Sequence, residues 1–193
     1  LGDAGQSGAF ALGGNVTVGT LATVAQDYDV SLTGAASVID TDTTFSNTGA
    51  VTLGDGTGDT TTFVGGLTAT APSSLTLAGT VATTDQPIAL GSSTGSTTAG
   101  PVPVTLAADT TLATGTADLT LTGNLDGAFS LDLNSTGVTT LAAGVGQTTE
   151  LTALSTNAGG STVLGGDSLA VSGALSFGDA VSTTTSTTLS SAS

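Results

Sequence analysis

Residues 54–59, with the sequence Gly-Asp-Gly-Thr-Gly-Asp, have the types and spacing that could hold a calcium ion. Calcium prefers oxygen ligands from carboxylates and backbone carbonyls, and glycine permits the tight loop that brings such ligands together. Asp55 and Asp59 are therefore the candidate metal ligands, and calcium is the candidate cofactor. Calcium-binding glycine–aspartate repeats occur in tandem, whereas this motif occurs once. A plain turn between Leu53 and Phe63 explains the same residues, so both interpretations stay open.

Two further pairs of carboxylates raise the question of catalysis. Asp27 with Asp29 and Asp40 with Asp42 are spaced so that both acids of a pair share one face of a strand. Such pairs could chelate a cation or hydrolyse a glycosidic bond, and solvated surface acids are the simpler interpretation. Nucleophilic triads need a basic partner, and the chain has no Lys, Arg or His. We therefore predict no enzyme activity, no catalytic residue and no cofactor-binding residue.

The charge of the chain excludes several classes of partner. Its formal net charge is −15, with no basic side chain to oppose the acids. Nucleic-acid phosphates and anionic membrane surfaces repel such a chain, so we predict no nucleic-acid binding. No apolar run reaches the roughly 18 residues of a membrane helix, which predicts no membrane insertion. The absence of Cys removes disulfides and structural zinc.

Short alternating runs of apolar and polar residues indicate an all-β fold. Between Val102 and Gly178 such runs recur about every 8 to 12 residues, with Gly, Asn, Asp or Ser in the gaps. This spacing is typical of a sandwich, a barrel or a solenoid. Because the chain has one Tyr, five Phe and no Trp, its core must be narrow and aliphatic, which favours a parallel β-helix. A β-sandwich is the alternative, and antiparallel pairing would distinguish it.

Related blocks give the approximate length of one coil. Asp-Thr-Thr followed by Phe or Leu occurs at residues 42–45 and 109–112, and a similar block ends at Phe63. Looser versions end at Leu141, Leu164 and Leu189. The spacing predicts irregular coils of roughly 18–29 residues. Asn47, Asn124, Asn134 and Asn157 fall at turn positions, where asparagines of a β-helix can stack and bond the next coil's backbone.

We predict that residues 1–193 form one β-solenoid domain. Residues 1–14 are predicted to be a frayed first coil or a linker. Residues 91–100 are predicted to be a loop that bulges from one coil, with a boundary between two blocks as the alternative. Residues 183–193 are predicted to begin a further, truncated coil.

Three stretches, 51–85, 108–137 and 159–181, resemble the β-strand repeats of giant bacterial surface proteins. These are the filamentous-haemagglutinin-like and autotransporter-like adhesins. The resemblance implies a right-handed parallel β-helix, secretion to the bacterial cell surface, and adhesion or matrix building.

Three functional hypotheses follow. The first is a structural one: an extracellular fibre or adhesin shaft that assembles end to end, with copies of itself or tandem segments of the same protein as partners. The second is a module that binds a glycan or a host surface through loops such as 91–100. The third is a calcium-stiffened protein similar to those of surface layers.

Overall fold

The computed structural model describes residues 1–96 and 100–192. The first twelve strands are β1 (Gly8–Leu12), β2 (Thr17–Val18), β3 (Tyr28–Leu32), β4 (Ala36–Ile39), β5 (Thr43–Thr44), β6 (Val51–Leu53), β7 (Thr60–Phe63), β8 (Leu67–Ala69), β9 (Leu75–Thr83), β10 (Ile88–Leu90), β11 (Ser92–Ser96) and β12 (Gly100–Val102). The remaining strands are β13 (Val104–Gly115), β14 (Leu119–Leu121), β15 (Leu125–Asp126), β16 (Ser130–Ser135), β17 (Val138–Leu141), β18 (Ala153–Thr156), β19 (Ser161–Leu164), β20 (Ser168–Val171), β21 (Leu175–Phe177), β22 (Ala180–Thr183) and β23 (Thr188–Ser191).

The strands stack as the coils of a parallel β-solenoid with three sides. The first side comprises β1, β3, β6, the N-terminal halves of β9 and β13, then β15, β20 and β23. The second comprises β2, β4, β7, the C-terminal halves of β9 and β13, then β16, β18 and β21. The third comprises β5, β8, β10, β14, β17, β19 and β22. Among the described strands every pairing is parallel except that of β11 with β12, so the solenoid prediction is confirmed and the sandwich alternative is wrong.

One row of inward side chains shows how the core is built. On the first side, nine residues lie in register from one end of the stack to the other. They are Phe10, Val30, Val51, Leu75, Val104, Leu125, Val145, Leu169 and Leu189. Each inner member is covered by the coils above and below it, whereas Leu189 of the last strand is 51% exposed. Aliphatic contacts between neighbouring coils therefore supply most of the burial that stabilises the fold.

The length of a coil varies mainly through its loops, and a bulge between Leu106 and Thr110 adds residues within β13 relative to β9. Hydrogen bonds between adjacent coils join residues 21 apart at several places, including Asn15 to Ala36 and Asp109 to Ser130. The separation rises to 31 residues between Asp85 and Thr116, across the antiparallel hairpin β11–β12. The predicted loop at 91–100 contains β11, and its residues 97–99 lie outside the described residues. Of the other predicted boundaries, β1 falls within residues 1–14, and β23 falls within residues 183–193, where it pairs with β20.

Candidate functional site

The structure places Asp55 and Asp59 in one turn between β6 and β7. The Oδ2 atom of Asp59 accepts hydrogen bonds from the backbone nitrogens of Asp55, at 2.8 Å, and Gly56, at 2.9 Å. Asp55 is exposed and Asp59 is half-buried. The two acids that the sequence singled out are therefore neighbours in space, and one of them already binds the backbone of the turn.

Their pKa values shift in opposite directions. The side-chain hydrogen bond to Asp59 raises the pKa of Asp55, and slight desolvation and the neighbouring negative charge add to that rise. The backbone hydrogen bonds from Asp55 and Gly56 lower the pKa of Asp59 because they stabilise its anion. Asp59 therefore loses its proton before Asp55 as the pH rises.

The turn supplies only part of a calcium site. Calcium takes about 6 to 8 oxygen ligands, so two carboxylates need several carbonyls or waters beside them. In the part of the chain that the structure describes, no three acidic, His or Cys side chains meet in a group that could hold a metal ion. Calcium binding by Asp55 and Asp59 therefore stays a prediction. Of the other acid pairs, Asp29 accepts a hydrogen bond from the backbone nitrogen of Ala50 at 2.8 Å.

Several carboxylates join one coil to the next, which the sequence did not reveal. In each case a side-chain oxygen accepts a backbone N–H of the following coil at 2.8–3.0 Å. The acids that do this are Asp29, Asp85, Asp109, Asp118 and Asp126. Asn15 makes the same contact with a neutral amide oxygen, at 3.0 Å from the nitrogen of Ala36. Nothing in the local sequence marks these acids, because the partner N–H lies a whole coil away.

The predicted asparagine contacts form at two of the four positions. Asn47 is buried, and its Nδ2 donates to the carbonyl of Tyr28 in the preceding coil at 3.0 Å. The Oδ1 of Asn157 accepts from the nitrogen of Ser135 at 3.0 Å. Elsewhere in the described chain, the side chains of Asn124 and Asn134 make no such bond. The Oδ1 of Asn47 is buried without a hydrogen-bond partner, which costs free energy of folding in this coil.

A row of hydroxyl groups occupies the corner between the second and third sides. Thr83, Thr114 and Ser135 lie there on successive coils and are all buried, and Thr156 of the next coil is also buried but lies in register with Leu133. Thr114 and Ser135 both donate to the carbonyl of Ala117, at 2.7 and 2.8 Å. The Ala117 carbonyl lies at the corner, outside the strands, and these two bonds satisfy it. The hydroxyl groups therefore have a structural role.

We predict that the Asp109 contact makes stability depend on pH. Hydrogen bonds from the backbone and side chain of Ser130 lower the pKa of Asp109 from 3.8. A lowered folded-state pKa contributes stability above the unfolded value, and this contribution is lost as the pH falls through the folded value. In urea unfolding at a series of pH values, Asp109→Asn should therefore be less stable than the parent at neutral pH, and the difference should vanish in acid.

A control separates this contact from the change in net charge. Asp40→Asn removes the same charge from an exposed residue whose side chain has no hydrogen-bond partner in the described chain. It should leave the pH profile close to that of the parent. Equal profiles for the two variants would show that net charge alone governs the pH response.

These contacts define a structural class and no ligand site. The described residues contain no ligand-sized cavity and no helix long and apolar enough to cross a membrane. The chain is a parallel β-solenoid, and the polar contacts described above join its own coils. In comparisons with known proteins, no family model, no curated protein and no solved structure matches it. The resemblance to bacterial adhesin repeats, the absence of enzyme activity and the excluded partners stay predictions.

Proposed function

We propose that this chain is a section of an extracellular fibre or of the shaft of a bacterial surface adhesin, and that sections join end to end. The observation that carries the proposal is the unbroken inward row from Phe10 to Leu189, which continues to both ends of the stack. A stack of about eight coils with roughly 4.8 Å between strands is about 40 Å long. Such a section resists bending because each coil bonds the next along all three sides.

The last coils support joining to a further coil. Val181 is 42% exposed and Leu189 is 51% exposed, although the residues below them in the same inward rows are buried. A coil stacked above them would cover both side chains and would pair with the free edges of β22 and β23. That coil would come from a second copy, whose first strand presents Phe10 in the same inward row, or from a tandem segment of the same protein.

The surface composition supports an exposed, long-lived location. The chain has no Lys or Arg, so proteases that cut after basic residues have no site in it. Its net charge of −15 keeps the sides of neighbouring rods apart and favours contact at the ends. Both properties suit a spacer outside the cell, on the bacterial surface.

Electron microscopy of the purified chain tests the assembly. We expect filaments several times longer than the roughly 40 Å of one stack. Leu189→Asp should shorten them to single rods, because it places a charge on the end that another coil must cover. Val138→Asp is the matched control, since Val138 is 39% exposed but lies on the third side and away from the ends.

The two variants distinguish end-to-end joining from association of the rods through their sides. Filaments that survive Leu189→Asp but disappear with Val138→Asp would mean that rods associate through their sides. Single rods at every concentration, in the parent and in both variants, would contradict end-to-end joining of copies.

A further inference from the structure

Asp179 binds side chains of two earlier strands. It lies half-buried at the corner between β21 and β22. Its Oδ1 atom accepts hydrogen bonds from the hydroxyl groups of Thr156, at 3.0 Å, and Thr162, at 2.9 Å. The hydroxyl oxygen of Thr156 in turn accepts the N–H of Gly178 at 3.0 Å. Both threonines are buried, so this one carboxylate satisfies two hydroxyl groups inside the solenoid.

These bonds cross a single boundary in the stack. We call the strands β20 to β23, residues 168–191, the terminal unit, and the strands β1 to β19 the body. Thr156 ends β18 and Thr162 lies in β19, so both belong to the body, whereas Asp179 belongs to the terminal unit. Across the same boundary β21 pairs with β18 and β22 pairs with β19. The Asp179 carboxylate therefore holds the terminal unit against the body.

Two inward positions at this boundary carry hydroxyl groups in place of aliphatic side chains. On the second side Thr156 lies in register with Phe177, and on the third side Thr162 lies in register with Val181. Two coils earlier the same two inward positions hold the leucines Leu112 and Leu119. When the terminal unit separates, the two hydroxyl groups gain hydrogen bonds to water. Separation therefore loses less apolar burial here than between those earlier coils.

The two ends of the stack are held differently. The strands β22 and β23 are exposed along their whole length, and no other described strand stacks on their far side. At the opposite end the ring of Phe10 packs edge to face on Tyr28, with centroids 5.2 Å apart. The hydroxyl of Tyr28 also donates to the carbonyl of Leu1 at 2.6 Å. In a stack where each coil contacts only its neighbours, opening therefore begins at the terminal unit.

We propose that the terminal unit opens and closes separately from the body, and that Asp179 is the latch that holds it closed. In the closed state the carboxylate binds both threonine hydroxyls. In the open state water solvates all three groups, and β18 and β19 become the last strands of a shorter solenoid. The body keeps its own strand pairing, so the opening is local.

The latch controls the end of the stack that the proposed joining uses. The terminal unit carries Leu189 and the free edge of β23, so an open unit offers no surface to a further coil. A coil joined there would in turn hold the unit closed, because it binds only the closed state. This consequence rests on the proposed end-to-end joining, whereas the latch itself does not.

The test is hydrogen exchange of the full chain, diluted until electron microscopy shows single rods, followed by peptic digestion and mass spectrometry. The amides of Gly178 and Thr184 report on the boundary, because they donate to carbonyls of the body at 3.1 and 2.9 Å. We expect the terminal unit to exchange about tenfold faster than the body or more. Asp179→Ala should accelerate exchange of the terminal unit by about a further tenfold and leave the body unchanged.

Two further variants control for charge and for shape. Asp132 also accepts a hydroxyl group, that of Ser155 at 2.9 Å, but Asp132 is exposed and this bond lies within the body. Asp132→Ala removes the same charge as Asp179→Ala and should leave exchange of the terminal unit as in the parent. Thr162→Val keeps the side-chain shape and removes one hydroxyl, so Asp179→Ala should accelerate exchange less in that background.

Several results would overturn the proposal. Uniform exchange along the chain would show that the terminal unit does not open separately. Unchanged exchange of the terminal unit in Asp179→Ala, or equal acceleration in the body, would show that Asp179 is not the latch. Filaments lost in Asp179→Ala without faster exchange would contradict the latch and leave joining supported. Faster exchange in Asp179→Ala, with no filaments in the parent at any concentration, would support the latch and contradict joining.

Discussion

Replacing Phe63 with Ala is expected to lower the free energy of unfolding by about 3–5 kcal/mol. Phe63 is fully buried on the second side, in register with Ile39 below and Thr83 above. Its ring meets that of Phe45 edge to face, with centroids 6.1 Å apart and planes at 82°. The surrounding strands are fixed by parallel ladders and cannot collapse far into the cavity, so most of the cost should remain. Urea unfolding, monitored by far-ultraviolet circular dichroism, measures this change in the free energy of unfolding.

Two controls identify the source of this loss. Phe63→Leu retains most of the buried volume and should cost about 1 kcal/mol. Thr62→Ala changes the adjacent residue, which faces outward on the same strand, and should alter stability by less than about 0.5 kcal/mol. If Phe63→Ala cost no more than Thr62→Ala, contacts across the core would not be what holds the coils together.

Replacing Gly146 with Ala is expected to destabilise the solenoid by about 2–5 kcal/mol, the combined effect of backbone strain and overpacking. Gly146 has φ +69°, a conformation that side-chain-bearing residues adopt only with strain. A Cβ atom there would also meet the carbonyl oxygen of Ala170 in the next coil. Since Gly146 donates its own N–H to Leu125 at 2.7 Å, its backbone is held between the two coils and cannot retreat.

Two other glycines separate these contributions. Gly5 has φ +82° with open space around it, so Gly5→Ala should show strain alone, about 1–2 kcal/mol. Gly58 has open space and no positive φ, so Gly58→Ala should be neutral or stabilise by up to about 1 kcal/mol. Thermal unfolding of the three variants should rank Gly146→Ala lowest. A similar loss for Gly5→Ala would assign the effect to φ and not to the spacing between coils.

The turn at residues 54–59 shows which contacts a local sequence pattern can predict and which it cannot. The sequence of residues 54–59 was enough to place Asp55 and Asp59 in one turn, because the separation is short and glycines allow the bend. It could not show that Asp59 binds the nitrogens of Asp55 and Gly56, since an acid facing a metal and an acid capping its own turn have the same sequence. The coil-bridging acids, such as Asp109, escaped notice because their partners lie about one coil away.

Which face of a strand points inward is a second property that local sequence does not predict reliably. In β17, local hydrophobicity favours burying Val138, yet Val138 is 39% exposed and Thr139 is buried. Leu141 is the anchor of this strand, and a period of two places Thr139 on the same inward face as Leu141. Thr139 then lies in register with Leu119 on one side and Thr162 on the other. The inward face of β17 is therefore set by its register with the neighbouring strands, and the hydrophobicity of Val138 alone does not decide it.

The sequence by itself determined that this protein is all-β with a thin, aliphatic core, and it favoured a parallel β-helix while leaving the β-sandwich open until the strand pairing was known. Those properties depend on the alternation within each strand and on the scarcity of aromatic residues, both of which are local or compositional. Only the tertiary structure decided which residues meet between coils, including Asp109 with Ser130 and the buried hydroxyls of Thr114 and Ser135. The physical reason is that the register between coils depends on loop lengths, and a loop such as the hairpin β11–β12 lengthens a coil without altering the pattern of its strands.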